Sequence, residues 1–228
     1  MPEPSFTPAL FDFFRELNEN NDREWFQAHK KRYEHDVKDA CLRFITEVGP
    51  GLRQISAHVQ AIPKVQGGSM FRIHRDVRFS KDKSPYKTHA GLHFRHAHGK
   101  DAHAPGYYLH LEPDQVFVAT GMWHPPTPAL RAARQAMMDD PEAWRATRDD
   151  AGLNRHFHFA GESLKRAPKG VDPDHPLIED LKRKDLIVVC ELEEGDALAP
   201  TFRDRFLERC REAEPLPAFL CKALDAPW

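Results

Sequence analysis

From position 71 to 89 the chain reads FRIHRDVRFSKDKSPYKTH, the densest gathering of cationic and hydroxyl side chains in the sequence. Phe71, Ile73, Val77 and Phe79 alternate with Arg72, His74, Asp76 and Arg78, which predicts a strand with one apolar and one polar face. Arg75 falls on the apolar face of that strand. Same-face neighbours on a strand lie roughly 6.6 Å apart. At that spacing two guanidinium forks can hold neighbouring oxygens of one phosphate or carboxylate. The loop that follows adds the Ser80 and Ser84 hydroxyls, the Lys81, Lys83 and Lys87 charges, and the Tyr86 phenol. Donors and cations dominate, and the groups able to move a proton are His74, His89 and Asp76. The chemistry is therefore recognition of an anion, and no catalytic residue can be assigned.

Three readings follow. In the first, Arg72, His74, Arg78, Ser80, Lys81, Lys83, Tyr86 and Lys87 bind a phosphate- or carboxylate-bearing small molecule. In the second, the same surface contacts a nucleic-acid backbone. In the third, the cations are satisfied internally, with Arg75 and Asp76 in buried structural pairs, which would explain an arginine on an apolar face.

Charge distribution sharpens the choice without making it. The chain has 33 basic and 35 acidic residues, a formal -2, which argues against a generic polyanion-coating protein. Positions 64–100 hold nine basic and two acidic residues, a net +7, leaving 24 basic and 33 acidic residues elsewhere, a net -9. Such a dipole either binds the segment to its own acidic body or attracts an outside anion.

Other chemistries have weaker signatures. Of 14 histidines, His89, His93, His96, His98 and His103 cluster, with His110 and His124 beyond. Asp101 is the one carboxylate among positions 89–103, and neither H-E-x-x-H nor H-x-E joined to C-x-x-C occurs, so no metal site is expected. Cys41, Cys190, Cys210 and Cys221 lack C-x-x-C spacing and read as buried thiols of a reducing cytoplasm. No nucleophile-elbow, Walker or dinucleotide fingerprint appears, and no cofactor is expected. Glu191, Glu193, Glu194 and Asp196 read as a solvated strand end, and Tyr107, Tyr108 and Phe117 as hairpin aromatics.

The elements that must position these residues change type along the chain. Leu10, Phe11, Phe13, Phe14 and Leu17 recur at helical steps behind a Thr7-Pro8 start. Asp22 begins a second helix whose core face runs from Trp25 to Val48, and Gly49-Pro50-Gly51 is expected to end or kink it. Strands are predicted at 90–95, 107–112, 116–122, 157–159 and 186–192, the second and third joined as a hairpin. Helices are predicted at 128–138, 141–149, 176–184, 201–212 and 216–224. The expected fold is α+β, a single domain with a central antiparallel sheet and helices from both terminal thirds packed on it. No apolar stretch reaches the length of a membrane span and the first residues carry no secretory pattern, so a soluble cytoplasmic protein is expected.

The run 71–89, together with Phe13-Phe14-Arg15-Glu16-Leu17, Asn20-Asn21-Asp22-Arg23-Glu24-Trp25-Phe26, Gly121-Met122-Trp123-His124-Pro125-Pro126 and Leu164-Lys165-Arg166-Ala167-Pro168-Lys169-Gly170, resembles the pattern of the bacterial and fungal family known as domain of unknown function 2461. The likeness spans nearly the whole chain. It implies one full-length domain and singles out the same central segment, and it brings no established activity, substrate or catalytic residue.

Overall fold

A computed structural model describes residues 3–99 and 103–228; Lys100 and Asp101 lie outside the described residues. Helix α1 (Pro8–Glu19) is followed by α2 (Arg23–Arg32), whose first turn is capped where the Asp22 carboxylate accepts from the Trp25 N–H. A π-helical stretch (Tyr33–Asp39) leads without a break into α3 (Ala40–Ile55). Of the end or kink expected at Gly49-Pro50-Gly51, no end occurs: Pro50 lies inside α3, which runs on to Ile55. An interior proline costs about 3 kcal/mol. Burial of Val48 and Leu52 on either side offsets it. Gly51 has a packing role, since a Cβ there would come within 2.5 Å of Leu207 Cδ1 on the neighbouring helix α9 (Phe202–Glu212).

Strands β1 (Ala90–Arg95), β2 (Gly106–Glu112) and β3 (Gln115–Met122) form an antiparallel meander. The β2–β3 turn places Asp114 at positive φ. Helices α4 (Thr127–Asp139), α5 (Pro141–Arg148) and α6 (Leu153–His156), strand β4 (His158–Ala160) and helix α7 (Ile178–Leu181) precede β5 (Leu186–Leu192), which returns beside β3. Of the helix expected at 176–184, the four residues of α7 form. The chain closes with α8 (Glu194–Ala197), α9 and α10 (Pro215–Ala223). The sheet order is β1-β2-β3-β5-β4, antiparallel throughout, so the fold is α+β.

One sheet face carries Leu92, Phe94, Tyr107, Leu109, Val118 and Val188, all essentially buried. With Phe6, Phe11, Phe14, Phe44, Phe202 and Phe206 from the helical layers they form one continuous core. Among the described residues, no helix is long and apolar enough to cross a membrane. All four cysteines are buried and unpaired, and burial pushes the Cys41 and Cys221 thiols up to about 12. At pH 8 the native protein is expected to be almost inert to a thiol reagent and to release four equivalents once denatured. A rapidly labelled thiol in the native state would contradict this arrangement.

Candidate functional site

The second face of the sheet is where polar groups gather. Residues alternating with the core positions, His93 on β1, Tyr108, His110 and Glu112 on β2, and Phe117 on β3, share it by register: His93 pairs with Tyr108, and His110 with Phe117. Gly91 lies opposite His110, and a Cβ there would come within 2.6 Å of the Tyr108 hydroxyl, so glycine leaves room for that phenol. The Tyr108 hydroxyl lies 3.0 Å from His110 Nδ1. His110 Nε2 lies 2.9 Å from Glu112 Oε2, and its ring stacks on Phe117 at 4.6 Å. Glu112 Oε1 accepts from the Thr88 hydroxyl at 2.8 Å. His89, just before β1, completes the group, with its ring 4.4 Å from that of His110. Burial, aided by His110 and by nearby Lys87 and Arg75, lowers the His89 imidazole to about 4 against the opposing pull of Glu112. Burial lowers His110 too, opposed by its bond to Glu112.

The segment 71–89 borders this face, and it is not the predicted strand. Phe71 N–H donates to the Gly91 carbonyl at 2.9 Å, and the Phe71 ring stacks on His93. Beyond it, Lys87 N–H donates to Ile73 O and Arg75 N–H to Pro85 O, with one isolated bridge between His74 and Tyr86. From 76 to 84 the chain turns on its own side chains. Asp76 accepts from the Arg78 backbone N–H and guanidinium, Asp82 from the Ser84 backbone N–H and hydroxyl, and Ser80 N–H donates to Val77 O. Such local bonds compete with ladder pairing, and Phe79, 96% exposed, has no apolar surface to pair with. The single polar face proposed for Arg72, His74 and Arg78 therefore does not exist.

The candidate residues separate accordingly. Arg78 pairs with Asp76 at 2.6 Å, Arg75 pairs with Asp82, and Lys83 donates to Val77 O at 2.9 Å. These pairs are surface pairs, not the buried Arg75 and Asp76 pairing expected; they hold both aspartates well below the usual carboxylate range, through the arginine hydrogen bonds above all. Tyr86 is buried, its ring stacked on Phe26 of α2 at 4.1 Å. Its backbone is gripped on both sides by the Asn21 side chain, which donates to Tyr86 O and accepts from Tyr86 N–H. His74 packs against the same two rings. These two residues anchor the segment to the helical layer. Ser80 is partly exposed and Lys81 exposed, and among the described residues Lys81 has no ion pair.

Arg72 and Lys87 remain. Lys87 is partly buried, its ammonium 5.2 Å above the Phe71 ring. Burial first and the Arg72 guanidinium second lower its pKa. Among the described residues, neither cation has a carboxylate within ion-pair distance. Sequence reading names His110 only among the clustered histidines and Tyr108 only as a hairpin aromatic, and does not single out Glu112. The legible signal was the alternation of 108, 110 and 112 on a predicted strand, but the pairing that brings His89 to them is not written in any local spacing.

Two further resemblance motifs meet at a buried carboxylate. Asp185, 1% exposed, accepts from the backbone N–H groups of His124 at 2.7 Å and Glu162 at 2.9 Å. It thereby ties the 121–126 turn to the segment leading into 164–170. That second segment lines a basic hollow with Lys165, Arg166 and Lys182, the last paired with Glu179.

No curated protein matches the chain. The model of a family described as conserved hypothetical protein DUF2461 matches residues 9–219, and on that extent, with the motifs placed as above, the chain belongs to this family.

Proposed function

We propose that the protein binds a small anionic ligand, bearing phosphate or carboxylate, where Arg72 and Lys87 adjoin the polar sheet face. The observation that carries this is that neither cation has a carboxylate within ion-pair distance among the described residues, while the Lys87 ammonium is held part-buried against the Phe71 ring. A part-buried ammonium carries a free-energy cost that an arriving anion offsets through charge-assisted hydrogen bonds. Lys81 and Ser80 are further contacts within the same segment, while Arg78 and Lys83 are already engaged and His74 and Tyr86 serve as anchors. One continuous core supports a single domain, and four unpaired cysteines support a reducing, cytoplasmic compartment.

The test is calorimetry and thermal shift with inorganic phosphate, pyrophosphate and a panel of phosphorylated and carboxylate metabolites. Arg72→Ala and Lys87→Ala are expected to weaken binding about ten-fold or more, from roughly 1.5–3 kcal/mol per charged hydrogen bond. Arg78→Ala should bind within about two-fold of wild type, its charge being engaged by Asp76. Equal binding by wild type and the Arg72 and Lys87 variants, or no response to any anion, overturns the reading. A nucleic-acid backbone needs a longer row of available cations. Pairing of Arg75 and Arg78 shortens that row. Retention on DNA or RNA at low salt, lost in the same two variants, would favour that alternative.

A further inference from the structure

We propose that His89, His110 and Glu112 form a binding site for one divalent transition-metal ion, a two-histidine, one-carboxylate set on the polar face of the sheet. Among the described residues this is the one group of three or more such side chains whose ligand atoms all lie within 4.8 Å of one another. Two ligand atoms each about 2.1 Å from an ion lie roughly 3.0 Å apart at right angles. His110 Nε2 and Glu112 Oε2 are 2.9 Å apart, and His89 Nδ1 lies 4.0 Å from the same oxygen. A side-chain rotation of about an ångström by His89, which is the more exposed of the two imidazoles, closes the set.

The supporting contacts fit the same role. Thr88 holds Glu112 Oε1, which leaves Oε2 for the ion. Without metal, His110 Nε2–H donates to Glu112 and Nδ1 accepts from the Tyr108 hydroxyl. With metal on Nε2, that ring proton resides on Nδ1 and is donated to the Tyr108 oxygen. The imidazole is neutral in both states, so no net proton is released by this ring. A phenol serves either tautomer because it both donates and accepts. Phe117 fixes the ring plane by stacking, and Gly91 keeps the space beside Tyr108 open.

The class of ion follows from the donors. One carboxylate offers too few oxygen ligands for calcium or magnesium. Two imidazoles instead suit zinc, iron(II), cobalt, nickel or copper. With three protein ligands, coordination positions stay open for water or a ligand.

The inference does not depend on the anion reading, because the probe is metal alone. The full chain, stripped with chelator in phosphate-free buffer, is titrated with Zn²⁺ by calorimetry and with Co²⁺ by visible absorption. One equivalent is expected to bind, with a cobalt spectrum unlike that of the hydrated ion. His89→Ala and Glu112→Gln should abolish it, and Tyr108→Phe should weaken it about ten-fold or more. His98→Ala and His35→Ala should leave it unchanged, and excess Mg²⁺ should not compete. Folding of each variant is checked by circular dichroism. Where a variant does not fold, the wild-type spectrum decides, since a hydrated-ion spectrum overturns the site. Undiminished binding by folded His89→Ala and Glu112→Gln, or no stoichiometric binding by wild type, overturns it equally.

Discussion

Asp185→Ala is expected to remove about 2–5 kcal/mol of folding stability, since a buried donor left without its acceptor costs about 1–3 kcal/mol. Two such donors, the backbone N–H groups of His124 and Glu162, depend on the two oxygens of this one side chain. The carboxylate that accepts from them is itself 1% exposed. His124 Nδ1, 3.3 Å away, adds a third contact, and His124 itself is held at positive φ. Asp185→Asn should lose about half as much, because the amide presents one acceptor oxygen and one NH₂, which cannot accept from the second N–H. Urea unfolding monitored by circular dichroism measures both. Values for both variants within about 0.5 kcal/mol of wild type would mean that the loops are held by something else.

Gly121→Ala is expected to be comparably damaging, about 2–6 kcal/mol, combining backbone strain of roughly 1–3 kcal/mol with overpacking of a similar size. Gly121 has φ +118°, a conformation that suits glycine, and it pairs with Ile187 in the centre of the sheet. An added Cβ would collide with the Leu186 carbonyl oxygen and come to 3.0 Å of Ile187 Cα. Both obstacles are backbone, so no side-chain rotation relieves them, and β3 and β5 would have to separate locally. Gly170→Ala makes a control for conformation without collision: its φ is also positive, +84°, but its Cβ would meet nothing within 4 Å. It should cost only the strain portion. If Gly121→Ala unfolds at the same urea concentration as Gly170→Ala, the close approach of β3 to β5 carries no energetic weight.

Gly121 begins one resemblance motif, and Asp185 joins that motif to the approach to another. Similarly, Asn21 in an N-terminal motif holds the backbone of Tyr86 in the central one. Segments far apart in sequence thus meet through side chains that satisfy a remote backbone.

Strands β1 and β5 coincide with the predicted runs 90–95 and 186–192; β5 buries Leu186, Val188 and Cys190 on the core side, and β1 is buried on both faces. Alternation at 71–79 misleads, because Val77 and Phe79 have no partner strand and the aspartates bond to their own backbone instead. At Gly49-Pro50-Gly51 the helix does not end, and Gly51 is where Leu207 of α9 packs closely against it. Periodicity, composition and charge were sufficient for the α+β class, the hairpin and a basic segment with more cations than acids, since those depend on neighbours in the chain. Which cations are neutralised, and that His89 crosses from its loop to His110 and Glu112, depends on strand register and on how the segment 71–89 folds back over the sheet. The ion pairs lie within one folded-back loop, whereas His89 meets His110 and Glu112 more than twenty positions away, and only tertiary structure sets that distance.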